Sequence, residues 1–219
     1  MGRFIGLCLI FLSLFYVPGN VSALDIKGEV WQNALASAKN PVGGPPSETP
    51  DATFLVTDIN FDSRLIKNVE ERSKITFDQF LNNPAKWDNS TNPKLGLKPQ
   101  SSMFTGPDQG VFFRFSWTMH FPGGSVPLIV THDDGFFFLV LDVFKFNASD
   151  PVKEDSPAVT KIDLTGIDPG DYRFILEYGA LNDTTTQVLI VRTPEPGTIL
   201  LLGLGLVAVG VAILMRRRS

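Results

Sequence analysis

The chain has 219 residues, with Lys+Arg 19 against Asp+Glu 23 and a formal net charge of −4 at pH 7. Setting aside Arg3 and Arg216, Arg217 and Arg218 at the two ends lowers the basic count from 19 to 15, while the acidic count stays at 23 and the net falls to −8. No basic stripe remains to hold phosphates, which argues against nucleic acid as a partner. The single cysteine, Cys8, lies near the N-terminus, and a chain that loses that leader contains neither disulfides nor cysteine-ligated metals.

Residues 1–23 read as a secretory signal peptide. Arg3 supplies a positive start, Ile5 to Val17 an apolar stretch, and Val21, Ser22 and Ala23 a small-residue cleavage site. Cleavage after Ala23 leaves Leu24 as the mature N-terminus, and Cys8 stands too early to be a lipoprotein cysteine. Residues 24–193 are then expected to form one domain.

Within that domain Glu29–Ala34 and Thr53–Phe61 are strand candidates, separated by the Pro- and Gly-rich stretch Asn40–Pro50. A short helix is predicted over Phe77–Asn82, with Thr76 as N-cap and Asp78 in its first turn. Asn83–Gly110 is polar, with four prolines and three glycines, and reads as a long irregular loop. Val111–Phe121 alternates: Val111, Phe113, Phe115, Trp117 and Met119 share one face, Arg114, Ser116, Thr118 and His120 the other, and Phe112 is the exception. Pro122, Gly123 and Gly124 turn the chain into Val126–Thr131. Phe136–Val143 is apolar on both faces, as in a central strand. Tyr172, Phe174, Leu176 and Tyr178 form another half-buried strand, and Gln187–Arg192 closes the domain. Short strands joined by turns, without alternating helices, indicate an all-β fold, an antiparallel β-sandwich or barrel.

The stretch from Leu128 to Gly135 (LIVTHDDG) ends a strand in Asp133, Asp134 and Gly135 and runs straight into an apolar strand. Lys161 to Gly170 then leads through Asp171 into the amphipathic segment ending at Tyr178. This order of elements resembles the PA14-like β-sandwich family and its fibro-slime and flocculin relatives. The resemblance implies a β-sandwich over 24–193. In sugar-binding members two successive aspartates hold Ca²⁺ through a cis peptide, and the ion grips vicinal sugar hydroxyls. By position Asp133 and Asp134 are those ligands. A cis non-proline bond costs about 3–4 kcal/mol, so a strong interaction must offset it. Ca²⁺ takes about six to eight oxygens, and Asn182 and Asp183, after the matching strand, are the further candidates. The same three residues also make a good plain turn, because aspartates cap backbone amides and glycine accepts positive φ.

His120 falls on the polar face of its strand and reads as a surface residue, whereas His132 is placed to donate to one of the aspartates. No G-x-S-x-G motif is present. Neighbouring strand residues point to opposite faces, so Asp133 and Asp134 do not flank a glycosidic bond as an acid and nucleophile pair must. The expectation is a protein that is not an enzyme. Trp31, Trp87 and Trp117 are potential sugar-stacking platforms, of which Trp117 reads as core and Trp87 lies in the long loop.

Thr198–Met215 is an unbroken apolar run, and its 18 residues span about 27 Å as a helix, enough for a transmembrane helix. Arg216, Arg217 and Arg218 belong on the cytoplasmic side, which puts the domain on the periplasmic or extracellular side. Just before the run stand Pro194, Glu195 and Pro196. This tripeptide, the short helix and the terminal arginines together resemble the PEP-CTERM sorting signal of Gram-negative bacteria, read and processed by an integral-membrane exosortase. Proteins with such tails are associated with exopolysaccharide and biofilm matrix. Taken together, the expectation is an exported, envelope- or matrix-associated protein, sorted by an exosortase-type enzyme and binding exopolysaccharide with Ca²⁺. A purely structural or adhesive matrix component is the alternative, and a matrix hydrolase the third reading.

Overall fold

The computed structural model describes residues 25–63, 75–82, 84, 86–90, 96–104, 109–121, 123–141, 143–148, 157–181 and 187–192. The signal peptide, the sorting tail with its predicted span at 198–215, and Asn182 and Asp183 lie outside the described residues. Among the described residues no helix is long and apolar enough to cross a membrane.

The strands, numbered in chain order, are β1 (Ile26–Trp31), β2 (Ala52–Val56), β3 (Asn60–Asp62), β4 (Lys86–Asp88), β5 (Gly110–Phe121) and β6 (Val126–His132). They continue as β7 (Phe136–Val140), β8 (Phe144–Ala148), β9 (Ala158–Leu164), β10 (Gly170–Leu181) and β11 (Val188–Arg192). Two short α-helices, α1 (Leu35–Lys39) and α2 (Phe77–Phe80), interrupt them. A seven-stranded sheet runs β4-β2-β1-β5-β10-β7-β8 and a four-stranded sheet β3-β11-β6-β9. The strand pairs within both are antiparallel.

Alternation in the sequence decides which face each strand buries. From the large sheet, Phe113, Phe115, Phe136, Phe138, Phe174, Leu176 and Tyr178 enter the core. Leu128, Val130, Ile162, Leu164 and Leu189 meet them from the small sheet. The result is the expected antiparallel β-sandwich, with an aromatic centre in which Phe113 stacks on Phe115 at 5.9 Å and on Tyr178 at 6.3 Å.

Phe112 breaks the alternation of β5 for a structural reason. It points to the outer face of the large sheet, where Trp31 meets it edge-on at 5.7 Å and the chain entering α1 covers it. That helix lies flat on the sheet because Gly110 and Gly179 leave room for it. A Cβ at Gly179 would sit 1.9 Å from the Ala38 carbonyl oxygen.

Several boundaries differ from the sequence reading. The strand expected over Glu29–Ala34 starts earlier, at Ile26, and stops at Trp31, because Asn33 takes φ 60° and turns the chain into α1. Thr53–Phe61 is not one strand: β2 belongs to the large sheet and β3 to the small one, so the chain changes sheets between Val56 and Asn60. Phe136–Val143 ends at Val140, where a turn leads into β8. The long loop Asn83–Gly110 carries β4 and buries Leu97, Met103 and Phe104 in the core. The predicted helix is shorter, Phe77–Phe80, but its cap is as expected. Thr76 Oγ1 accepts from the Gln79 amide at 3.2 Å, and Gln79 Oε1 accepts from the Thr76 amide at 3.0 Å.

On the outer face of the large sheet Glu177 is buried beside Arg114, which donates to its Oε1 from Nε at 2.8 Å and from Nη2 at 2.5 Å. Burial raises the pKa of Glu177 above the ordinary 4.5, with the hydrogen bond and charge of Arg114 pulling it back in part. The folded value therefore exceeds the unfolded one, and in between the unfolded chain has released a proton that the fold retains. Stability falls as pH rises through that window. Relative to Glu177→Gln, the wild-type protein should lose stability between about pH 4 and about pH 7, measured as urea midpoints at both values. A difference that does not change with pH would contradict this account.

Candidate functional site

The aspartate pair sits where the chain passes from one sheet to the other. β6 belongs to the small sheet and β7 to the large one, and Asp133, Asp134 and Gly135 make the crossing. Backbone contacts from both sides fix the turn. The Asp133 amide donates to the Val188 carbonyl at 2.9 Å, and the Gly179 amide donates to the Gly135 carbonyl at 3.1 Å. Asp134 takes φ 67°, a left-handed conformation that aspartate tolerates better than most residues. Its Oδ2 accepts from the Leu181 amide at 2.9 Å, tying the turn to the end of β10.

Both aspartates are buried, Asp133 at 0 % exposure and Asp134 at 2 %. Covering two adjacent carboxylates is costly unless donors or cations surround them. Their negative charge reaches Tyr178, whose hydroxyl pKa is pushed up by burial first and then by Asp134 and Asp133.

His132 is also buried and does donate to its neighbour, but to the Asp134 carbonyl at 2.7 Å rather than to a carboxylate. A carbonyl only accepts, so Nδ1 carries the proton and Nε2 accepts from the Thr160 hydroxyl at 2.8 Å. Burial lowers the pKa of this histidine and the bond to Asp134 opposes that shift, so the ring is an uncharged brace. Its edge rests on Phe136 at 4.7 Å.

Sequence reading missed the contacts of Gln187 and Ser63, which fix the described chain on either side of residues 182–186. Gln187 Nε2 donates to the Leu181 carbonyl at 2.7 Å, and Gln187 Oε1 accepts from the Tyr178 hydroxyl at 3.3 Å. The Gln187 amide donates to Ser63 Oγ at 2.7 Å and its carbonyl accepts from the Ser63 amide at 2.9 Å. A glutamine at a strand start carries no such signal in the sequence; only its burial in the structure shows that its donors and acceptors must be used.

Buried carboxylates suit an oxygen-seeking dication in donor type. In number they fall short. Among the described residues no group of three or more His, Cys, Asp or Glu could share a metal ion, and Asn182 and Asp183 lie outside the described residues. The peptide geometry also departs from the expectation: among the described residues no bond is cis, and the turn is made by the positive φ of Asp134 instead.

The tryptophans are packing residues. Trp31 donates Nε1–H to the Glu48 carbonyl at 2.9 Å, Trp87 stacks on Phe54 at 5.5 Å, and Trp117 stacks on Phe174 at 5.5 Å. His120 lies exposed against Asp171 at 2.8 Å, as its place on the polar face predicted.

Comparison with known proteins adds the following. The family model for the PEP-CTERM protein-sorting motif matches residues 192–218. No curated protein matches the chain. Among solved structures, the PA14 domain of the MpAFP antifreeze protein is similar at 14% identity and TM-score 0.43, over 77% of this chain and 79% of that one. The PA14 sugar-binding domain from an RTX adhesin is similar at 14% identity and TM-score 0.40, over 78% and 89%. A beta-glucosidase from Kluyveromyces marxianus is similar at 11% identity and TM-score 0.44, over 78% of this chain and 16% of that one. The chain thus has structural neighbours among PA14 domains, and its sorting motif marks it as an exported protein.

The hydrogen bond from Leu181 and the backbone of Asp134 can be separated by substitution. Asp134→Ala loses the acceptor and strains the left-handed backbone, and should cost about 2–4 kcal/mol. Asp134→Gly loses only the acceptor and should cost about 1 kcal/mol less. Urea denaturation of both purified variants checks the order; equal losses would mean that the backbone conformation contributes nothing.

Proposed function

We propose that the exported domain is a non-catalytic envelope or matrix protein that binds polysaccharide through Ca²⁺ held at Asp133 and Asp134. The observation that carries this reading is the buried aspartate pair at the sheet crossing, anchored through Leu181 and Val188. Asn182 and Asp183 follow Leu181 directly, and Gln187 fastens the far end of the same loop to Leu181. Oxygens from that loop are the supply from which the coordination of a dication would be completed. The bound ion would then offer its remaining positions to vicinal hydroxyls. Two carboxylates buried side by side in a turn are poorly placed to act as acid and nucleophile, which supports a binding role over hydrolysis.

A second reading has its own support. Asp134 already accepts from the Leu181 amide and its carbonyl accepts from His132, so the turn also serves a structural or adhesive domain with no small ligand. Calorimetry separates the two. The first reading expects Ca²⁺ to bind the purified protein, Asp133→Asn to weaken it at least tenfold, and Ca²⁺ to raise the melting temperature. Absence of Ca²⁺ binding by a folded wild-type protein leaves the structural reading.

For delivery, an exosortase-type enzyme is proposed to process the tail near Pro194, holding the domain at the membrane until then. The prolines prevent the anchor helix from extending toward the domain and keep the junction open to a protease. Mass spectrometry of the protein from cells should find a C-terminus near Pro196. An intact Ser219 would make the tail a permanent anchor instead.

A further inference from the structure

A cavity of about 610 Å³ lies beside α1, between residues 31–37 and 46–51. Its volume falls in the range of small-molecule sites, about 300–1,000 Å³. Hydrogen bonds hold its walls in place. Trp31 Nε1 donates to the Glu48 carbonyl at 2.9 Å, and the Gln32 amide donates to Asp51 Oδ2 at 2.8 Å. The Asp51 amide donates to the Val30 carbonyl at 2.8 Å, and the Gln32 side chain reaches across to the Ser102 carbonyl at 2.7 Å. A ligand entering it would meet a preformed site and spend little free energy on ordering it.

The lining is of two kinds. Leu35 and Pro46 give an apolar floor over the buried Trp31, while the exposed side chains of Asn33, Ser47 and Glu48 offer an amide, a hydroxyl and a carboxylate. Asn33, at φ 60°, lies just past the end of β1 and lines the cavity. Among the described residues that line the cavity there is no lysine or arginine, and Glu48 and Asp51 are both acidic, so phosphates, sulfates and carboxylates are disfavoured. What fits is a neutral molecule with one apolar face and several hydroxyl donors. A pyranose ring has that form, with C–H groups for the floor and hydroxyls for the carboxylate and the amide.

The geometry points to this cavity as a metal-independent binding site for a neutral saccharide, separate from the aspartate pair. Both lie at the same end of the sandwich. The Ala34 amide donates to the Gly110 carbonyl, Gly110 pairs with Leu181, and Leu181 donates to Asp134. A long polysaccharide could therefore meet both sites at one end of the domain.

The test uses the purified full-length exported protein in excess EDTA, which silences any Ca²⁺-dependent site. Saturation-transfer NMR is run with the methyl glycosides of glucose, galactose, mannose, xylose and N-acetylglucosamine, and with cellobiose. Each is present at about 10 mM, tenfold above a Kd of about 1 mM. At least one should show transfer, and the triple variant Asn33→Gly, Ser47→Ala, Glu48→Gln should weaken it at least tenfold, about 1.4 kcal/mol. All three positions are exposed and glycine accepts the φ of Asn33, so an unchanged melting temperature serves as the folding control. No transfer from any saccharide in EDTA overturns the proposal, as does transfer that the triple variant leaves intact. Binding that appears only when Ca²⁺ is restored supports the aspartate site and rejects this one.

Discussion

The ladder between β5 and β10 runs unbroken from Gly170↔Phe121 to Leu181↔Gly110, and the remaining elements take their places from it. Its inner face carries the aromatic centre: Phe113, Phe115 and Trp117 from one strand, Phe174, Leu176 and Tyr178 from the other. With Cys8 the only cysteine in the sequence, no disulfide can share the task of holding the domain together. Cohesion rests on burial, and large aromatic side chains each remove about 150–250 Å² from water. β1 and β7 extend the same sheet on either side, so the site's crossing turn and the α1 cavity both inherit their positions from this pair.

The dependence is most direct at the last residues of β10. Gly179 bonds to Gly135, Leu181 bonds to Asp134, and the carbonyl of Leu181 receives Gln187. Three consecutive features of the functional end therefore hang on one strand terminus. On the opposite face of the same strand, the absence of a side chain at Gly179 lets α1 lie against the backbone. A single strand end thus organises the inner turn and the outer cavity together.

The parts of this arrangement that were legible in the sequence are those in which side chains alternate without interruption. β5, β6 and β10 announce themselves, and Thr76 announces its helix, because their signals are local. The change of sheet between β2 and β3 was hidden because apolar residues stand on both sides of Thr57 and Asp58 and nothing local marks which sheet each half joins. Phe112 looked like an error in a pattern, and is a residue with a second hydrophobic partner, Trp31, from 81 positions earlier in the chain. At the site, Asp133 and Asp134 were visible as charged residues in a turn. Their anchors are backbone groups of Leu181 and Val188, and backbone groups leave no trace in residue identity. Trp87 read as a loop residue because its stacking partner, Phe54, lies in a distant strand.

The direction of β11 has a consequence for how the molecule meets its surroundings. It starts beside Asp133 and runs back along β6, from Leu189 opposite His132 to Arg192 opposite Ile129. β1 likewise advances toward the α1 end, from Lys27 opposite Ser116 to Trp31 opposite Phe112. The described chain ends, Asp25 and Arg192, therefore lie away from the aspartate turn and the cavity. The long strands have 12 residues and span roughly 40 Å. A large ligand can therefore approach the turn and the cavity without passing either end of the described chain.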